Sequence, residues 1–549
     1  MTEVARDARA AHLVVAGVSG LSVTLLEFAA VRFMAPSFGQ SNYVWANVIG
    51  VILLALALGY WLGGRLADRS ETGRPLYTAY VLASAYVVAI AWFGGPLCDW
   101  LVPREVGNTR LLPLAFTGSL VATVFLFGPP TLVLGMTSPF LIRLDHREGT
   151  TGSTAGRIFA IGTIGSLVGC YLGPLWLFQA VGSRATILLC AAALAALGLV
   201  GLVVGSREAK RAALAAALVC VVALGLAGYT TAAEVPLRVH EGQLAELESS
   251  YQSVRVVESE ATMLAPARYP MYGKETTATV RFLRHDEDSE TYQSVWLPEE
   301  SERLLTGGRY YEHLALGAWF GRTEAPKTLR VLVVGYAGGT LHRMLRITKP
   351  EGVTLQILGV EIDPGVVDLS REWLDLASLE GPELELVTGE DARTVVNALP
   401  ADRRFDLILV DAYTRTTYVP FQVASLEFFE RCASHLAQGG WIGVNLHSNA
   451  GLRGRLLRAL GTTMEATDGL GDVWVAPNPL FPGSLVLWAA APGTGAPRLR
   501  GDVPESLLTP AFTLERLIVR FDPESAKSHV LTDDLSDVDQ LTDEELTSR

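Results

Sequence analysis

The chain has 549 residues, of which half are hydrophobic and 18% charged, and a formal net charge of −13. It is too long for one compact core, and so low a charged fraction is unusual for a soluble protein. Residues 1–235 hold 15 Lys+Arg and 11 Asp+Glu and the remainder 29 and 46, and that acidic excess excludes nucleic acid as a partner.

The chain opens on the polar MTEVARDARAAH, which enters the first apolar stretch without a cleavage site. That stretch is therefore expected to be a retained span rather than a signal peptide. Stretches able to cross about 30 Å of hydrocarbon fall near 12–31, 43–63, 77–97, 111–142, 158–181, 185–205 and 211–230. The fourth carries Pro129-Pro130 and is expected to be one kinked helix or a helix with a re-entrant piece, giving seven spans or eight. Arg65, Arg69 and Arg74, then Arg143, Arg147 and Arg157, then Arg207, Lys210 and Arg211 occupy alternate loops. The positive-inside rule puts those loops and the N-terminus in the cytoplasm of a multi-pass plasma-membrane protein bathed in membrane lipids. Seven spans then place the second half outside and eight place it inside.

Glu27, in LSVTLLEFAAVRF, is costly at that depth without a partner. Arg32 is the expected partner, with Asn42 and Asn47 of the next span nearby. The set reads either as a polar site inside the bundle or as an ion pair holding two helices. The glycines of IGTIGSLVGCYLG are expected to mark close helix packing. Three of the five cysteines lie in apolar runs and no CxxC pair occurs, so neither a disulfide framework nor a metal is expected.

After the bundle at 1–235, the short runs YQSVRVVE, TATVRFLR and YQSVWL predict a small antiparallel β subdomain over 236–310. From 311 to 500 strands and helices alternate. RVLVVG (330–335) ends in the turn YAGG before a helix from Thr340. LQILGVEID (355–363) precedes a helix at 364–377. LELVTGEDA, DLILVDAY, a helix at 423–438 and GGWIGVNL follow. That order predicts a doubly wound, Rossmann-like α/β domain of the class I methyltransferase type, with its site at the strands' C-terminal ends. The acidic tail, 501–549, is expected to pack partly on it through AFTLERLIVRF, as a strand or a helix.

Gly335, Gly338 and Gly339 let the backbone approach a ligand at the first strand-to-helix turn. Glu361 ends the second strand, where a carboxylate can accept both ribose hydroxyls. Asp391 follows the third, placed to accept an adenine amino hydrogen. Asp411 ends the fourth, facing a reacting group. One such Asp alone is an ordinary helix N-cap. Four features in register at four successive strand ends point to an adenosyl-type nucleoside site.

VLVVGYAGGTLHRML, GVEIDPGVV, GEDARTVV and FDLILVDAY resemble the spermidine synthase (polyamine aminopropyltransferase) family over roughly 245–450. Ser250-Tyr251-Gln252-Ser253 is similar to its substrate-gripping Tyr-Gln segment, and Tyr310-Tyr311-Glu312-His313 to its Tyr-His-Glu helix start. LEFAAVRFMAPSFGQSNYVW, GRLADR, GMTSPFLIRL and HVLTDDLSDVDQL resemble the membrane-fused members. GGRLADRSETGRP is similar to a cytoplasmic loop of major-facilitator transporters. The resemblance implies a decarboxylated S-adenosylmethionine co-substrate, with its ribose on Glu361 and its adenine on Asp391. Gln252, Asp363 and Ala392 belong to the same binding set, Asp411 and Tyr311 are the catalytic pair, and a homodimer follows by analogy.

The departures are specific. Ala337 stands where the family's Gly-Gly-Gly-Asp-Gly-Gly loop has its Asp, and Tyr336 is expected to crowd that loop. Thr414 stands where the family has a second Asp, and Arg415 follows; with Tyr413 they form the acceptor side. A diamine would meet a cation there, so a neutral or anionic acceptor, a small-molecule amine or one borne on a lipid, is expected. Two other readings stay open: methyl transfer from S-adenosylmethionine itself, and a transporter or sensor whose soluble domain binds a nucleoside or polyamine.

Overall fold

The computed structural model describes residues 3–542 apart from 39–41, 102–110, 147–150, 206–209, 234, 238, 250, 265–274, 286–291, 300–308, 322–325, 414–417, 449, 482, 502, 535 and 539. Its first part is a helical bundle of α1 (Glu3–Phe38), α2 (Asn42–Asp68), α3 (Arg74–Leu101), α4 (Leu111–Leu126), α5 (Gly128–Gly135), α6 (Thr137–Asp145), α7 (Thr151–Leu172), α8 (Phe178–Gly205) and α9 (Lys210–Ala232). Among the described residues five helical stretches are long and apolar enough to cross a membrane, and six if the pair 116–126 and 128–145 is one broken span. That pair bends by 49°. Pro129-Pro130 sit in the first turn of α5, where the N–H groups they lack would have no partner anyway.

One of those stretches, Thr151–Val203, is 53 residues long, and as a single rod it would reach about 80 Å. Gly182, at φ 78° and ψ 167°, breaks it. Gly17 of α1 faces Ile161 and Gly165, while Arg184 of α8 reaches back to Ala91 of α3 and Gly201 faces Tyr77. So α7 runs parallel to α1 and α8 antiparallel to α3. The chain reverses within 173–182, a little earlier than the division between 181 and 185 that the apolar runs suggest. The α1–α7 seam requires its glycines: a Cβ at Gly20 would lie 2.0 Å from the Gly162 carbonyl oxygen, and one at Gly165 2.0 Å from that of Gly17. Leu53, Leu54, Phe93, Leu214 and Leu218 face outward, the pattern of a surface that meets lipid.

Arg32 does not pair with Glu27. Five residues turn a helix through about 500°, so the two side chains point roughly 140° apart. Arg32 instead stands 3.8 Å from Glu248 and donates to the Ser249 carbonyl. Glu27 is half-buried and has no hydrogen-bond or ion-pair partner among the described residues. Asn47 is engaged with α4, donating to the Phe116 carbonyl and to Ser119 Oγ, each at 2.9 Å. The Asn42 side chain lies outside the described residues. The bundle end carrying Arg32, Gly182 and Ala232 meets the rest of the chain, pinned by Arg184 to the Pro236 and Leu237 carbonyls at 2.8 and 2.9 Å. Arg65, Arg69, Arg74, Arg143 and Arg157 belong to the opposite end.

A four-stranded antiparallel sheet follows, in the order β1 (Gln243–Glu248), β2 (Ser253–Leu264), β3 (Glu275–His285), β4 (Ser294–Trp296). The larger sheet contains β5 (Thr328–Val334), β6 (Thr354–Glu361), β7 (Leu384–Thr388), β8 (Phe405–Val410), β9 (Leu436–His447), β10 (Trp474–Pro477), β11 (Ser484–Ala490) and β12 (Val519–Arg520). Its order is β12-β10-β11-β9-β8-β5-β6-β7. The first five strands are parallel, and β11, β10 and β12 continue the sheet antiparallel beyond β9. The connections leave β5 in opposite directions, so the switch point lies between β5 and β8, where such sheets bind ligands.

Both faces of the parallel strands are covered, which is why they read as unbroken apolar runs. Val331, Val333 and Leu407 pack under α10 (Tyr310–Ala315) and α11 (Thr340–Thr348), while Leu332, Val334 and Ile408 pack under α14 (Leu426–Ser434) and α15 (Arg455–Glu465). The helix expected at 423–438 is shorter because β9 already begins at Leu436. The described residues of the expected tail belong to the domain: α16 (Leu508–Arg516) covers one face and β12 forms the sheet's edge. The LTDD segment is a latch. Leu531 is fully buried, and Asp533 accepts from Arg393 at 2.7 Å and from Ser425 at 2.6 Å.

Candidate functional site

Three strand ends meet at the switch point. At the end of β5, Gly335 has φ 82°, and a Cβ there would stand 2.4 Å from the Asp411 carbonyl oxygen. Only glycine lets this turn lie flush against the end of β8. Tyr336 then donates its N–H to the Val360 carbonyl at 3.0 Å. Ala337 donates to Glu361 Oε2 at 2.9 Å and Gly338 to Ser294 Oγ at 2.8 Å, and Gly339, at φ 76°, opens α11. Ala337 itself is left-handed at φ 46°, a conformation that costs a non-glycine residue about 1–2 kcal/mol. Tyr336 does not crowd the loop. Its ring, 3% exposed, turns down over Gly359, where a Cβ would come within 2.3 Å of it, and its hydroxyl meets His342 Nδ1 at 2.8 Å.

Glu361, at the end of β6, joins two loops. Its Oε2 accepts from Ala337 and its Oε1 from the Asp363 N–H at 3.0 Å. Burial pushes its carboxyl up to about 7, against the pull of those backbone N–H groups. The Ile362 N–H pulls the same way, and the carboxylate keeps acceptor capacity for a further donor. Asp363, expected among the ligand-binding residues, is fully buried and already engaged. It caps α12 (Pro364–Trp373) by accepting from Gly365 at 2.9 Å, and its other oxygen accepts from Ser249 at 2.6 Å. Gln252 reaches the same oxygen at 3.4 Å and touches His285 at 3.3 Å, so it holds the turn between β1 and β2 in place. Tyr251, 42% exposed, lies in the field of the nearby carboxylates: burial and then the charges of Asp363, Asp391, Glu390 and Glu361 raise its phenol's pKa.

Asp391 caps α13 (Ala392–Ala398), accepting from the Arg393 N–H at 2.8 Å, and Ala392 is that helix's first residue. Asp411, at the end of β8, accepts from Asn445 Nδ2 at 2.8 Å. Burial pushes its carboxyl up to about 7, and the bonds from Asn445 and Tyr310 pull the other way. Tyr310 is thus the tyrosine bonded to Asp411. Tyr311, named from sequence, gives its hydroxyl to the Gln293 carbonyl at 3.0 Å; its ring centroid lies 4.0 Å from that of Tyr310, and the Asp411 charge bears on both phenols. Tyr413 donates to the Asn445 carbonyl at 2.9 Å. Thr414 and Arg415 lie outside the described residues.

Asn445 and Tyr310 are the residues that sequence reasoning passed over. Asn445 was visible as the one amide in the apolar run GGWIGVNL; nothing in the sequence chose between Tyr310 and Tyr311. Among the described residues no group of three or more His, Cys, Asp or Glu could hold a metal ion. The arrangement offers a buried carboxylate beside a glycine turn, and across the switch point a half-buried carboxylate flanked by an amide and a phenol.

Residues 313–453 match the family described as "Spermine/spermidine synthase domain", so the C-terminal part carries a spermidine synthase domain. The "Probable polyamine aminopropyl transferase" of Bifidobacterium longum is 32% identical over 204 residues, which cover 37% of this chain and 41% of that protein. The aligned part thus spans about two-fifths of that relative's length. "Polyamine aminopropyltransferase 1" of Streptomyces coelicolor is 24% identical over 484 residues, 84% of this chain and 80% of it, so this similarity extends into the helical part. A crystal structure of a probable spermidine synthase from Corynebacterium glutamicum aligns at a TM-score of 0.38 and 20% identity, over 55% of this chain and 99% of that one.

Proposed function

We propose that the chain is a membrane-bound transferase that moves an aminopropyl group from decarboxylated S-adenosylmethionine to an amine acceptor other than a simple diamine. The observation that carries this reading is the placement of Glu361. It bridges the first two loops at the end of β6 with acceptor capacity left over, the place where a carboxylate accepts ribose hydroxyls. Asp391 would face the adenine edge. The family match at 313–453 and the aminopropyltransferase names of the relatives support the same donor class.

In the reaction the acceptor's unprotonated nitrogen attacks the aminopropyl carbon next to the sulfonium. The carbon–sulfur bond breaks, its electron pair returns to sulfur, and the neutral thioether methylthioadenosine leaves. The new ammonium gives up its proton to Asp411, which must therefore start ionised. Tyr310 and Asn445 hold that carboxylate. The acceptor preference rests on Thr414 and Arg415, a neutral residue and a cation in place of an anion. It favours a neutral or anionic amine, taken from solution or from the lipid that the apolar helices face.

One observation favours a second reading. Ala337, with no carboxylate of its own, leaves space for the carboxylate of intact S-adenosylmethionine, which would make the transferred group a methyl. Calorimetric titration of the detergent-purified protein with decarboxylated S-adenosylmethionine, S-adenosylmethionine and methylthioadenosine tests both. Micromolar binding that Glu361→Ala abolishes supports the nucleoside site, and the preferred donor selects the transferred group. Absence of binding by all three overturns both readings.

A further inference from the structure

The turn between β1 and β2 is held from two sides. On one side Ser249 and Gln252 bind Asp363, whose N–H is held by Glu361. On the other, the turn is tied to the helical bundle. Glu248, the last residue of β1, accepts from the Ser183 N–H at 3.0 Å and from the Ser183 hydroxyl, just beyond the Gly182 break in α8. Arg32, near the C-terminal end of α1, stands 3.8 Å from the same carboxylate, lies over the Phe178 ring, and donates to the Ser249 carbonyl. Arg32 and Glu248 side chains are only 11% and 14% exposed, so the contact is shielded from water and competing ions. A Cβ at position 182 would come 3.2 Å from Glu248 Oε1, so the break and the carboxylate fit each other closely.

We propose that Arg32 and Glu248 are positioning residues for the nucleoside site: the bundle, through them, holds the β1–β2 turn against Asp363 and so fixes the loop that carries Asp363 onto Glu361. This rests on the reading of Glu361 as the donor's ribose ligand. The path is continuous and short. Ser183 and Arg32 hold Glu248 and Ser249, Ser249 holds Asp363, and Asp363 holds Glu361. A displacement of α1 against α8 is therefore felt at the donor site without any contact between bundle and donor.

The test uses the full chain in detergent, with Arg32→Met, Glu248→Gln and the conservative Arg32→Lys. Amide exchange is followed at Ser249, Tyr251 and Gln252 without ligand, and methylthioadenosine affinity is measured by calorimetry. The expected result is faster exchange confined to this turn and an affinity loss of about tenfold in the first two variants, with Arg32→Lys close to wild type. Unchanged exchange in both overturns the proposal whatever the affinity does. Faster exchange with wild-type affinity also overturns it, because the turn would then not position the donor. A wild-type protein that binds no nucleoside overturns the donor reading instead, and the exchange result still decides whether the bundle holds the turn.

Discussion

The side-chain amide of Asn445 donates to the Asp411 carboxylate at 2.8 Å from the neighbouring parallel strand. The backbone carbonyl of the same residue takes the Tyr413 hydroxyl at 2.9 Å. One residue of β9 thus fixes Asp411 and Tyr413 together, and with Asp411 as the proposed proton acceptor this geometry sets a pH dependence.

Turnover is expected to rise with pH and level off above about 7, because Asp411 must be ionised to take the acceptor's proton and burial has pushed its carboxyl up to about 7. Asn445 pulls that value down, so Asn445→Ala moves the inflection upward and lowers turnover at pH 7. Asp411→Asn removes turnover and leaves donor binding. A pH–rate profile of the three proteins checks this; an unmoved inflection in Asn445→Ala contradicts it.

Glu361 and Asp411 both have folded-state values raised to about 7. The stability associated with each is therefore fully present below the usual carboxylate range and is lost as pH rises through about 7. The ligand-free protein is expected to melt at lower temperature at pH 8 than at pH 5.5, and Glu361→Gln to reduce that difference. Nucleoside binding does the reverse, since ribose hydroxyls donate to the ionised form. Affinity should grow with pH through the same range, with proton release measurable by titration in two buffers of different ionisation heat.

Ala337→Asp puts a carboxylate at the tip of the first loop, and aspartate tolerates the left-handed backbone there better than most residues. Binding of S-adenosylmethionine should fall by about tenfold or more, since two carboxylates would be brought close, while the decarboxylated donor is spared. Competition between the two donors for the variant measures it. Equal losses for both would mean that this position does not face the donor's tail.

Gly359→Ala should destabilise the α/β domain by roughly 1–3 kcal/mol, because the new Cβ would meet the Tyr336 ring at 2.3 Å. Combining it with Tyr336→Ala should recover part of the loss. Strict additivity of the two changes in denaturant unfolding would contradict the packing described.

The passes of the bundle carry the N-terminal end of α1 and the α/β domain to opposite ends. Single cysteines at Glu71 and at Glu351, in an otherwise cysteine-free protein, should be labelled from opposite faces of a sealed vesicle by a membrane-impermeant reagent. Labelling of both from one face would remove a pass.

The central strands were legible because parallel strands covered on both faces carry uninterrupted apolar runs, and Glu361 and Asp411 stand out where those runs stop. β10 and β11 escaped because WVAP and SLVLWAA are short and no crossover helix separates them. Arg32 was paired with the wrong carboxylate because sequence proximity was taken for contact. Its partner lies 216 residues away, and no local pattern encodes such a distance. Asp391 and Asp363 show the converse: both do cap helices, as an isolated Asp usually does, and capping leaves Asp391 an oxygen to spare while Asp363 has none. LTDD carried no periodicity, since a latch is recognised only by what it grips.

That latch bears on how the protein is made. Asp533 closes on Arg393 and Ser425, Leu531 is buried behind them, and β12 completes the sheet edge with residues 519–520. Until residues 519–533 have been made, the half-built domain keeps the flank of β10 bare and the start of α13 unclamped. Emergence of 519–533 from the exit tunnel is thus the step that seals the sheet. Until then the nascent chain offers an open strand edge, a period in which a chaperone would have something to hold.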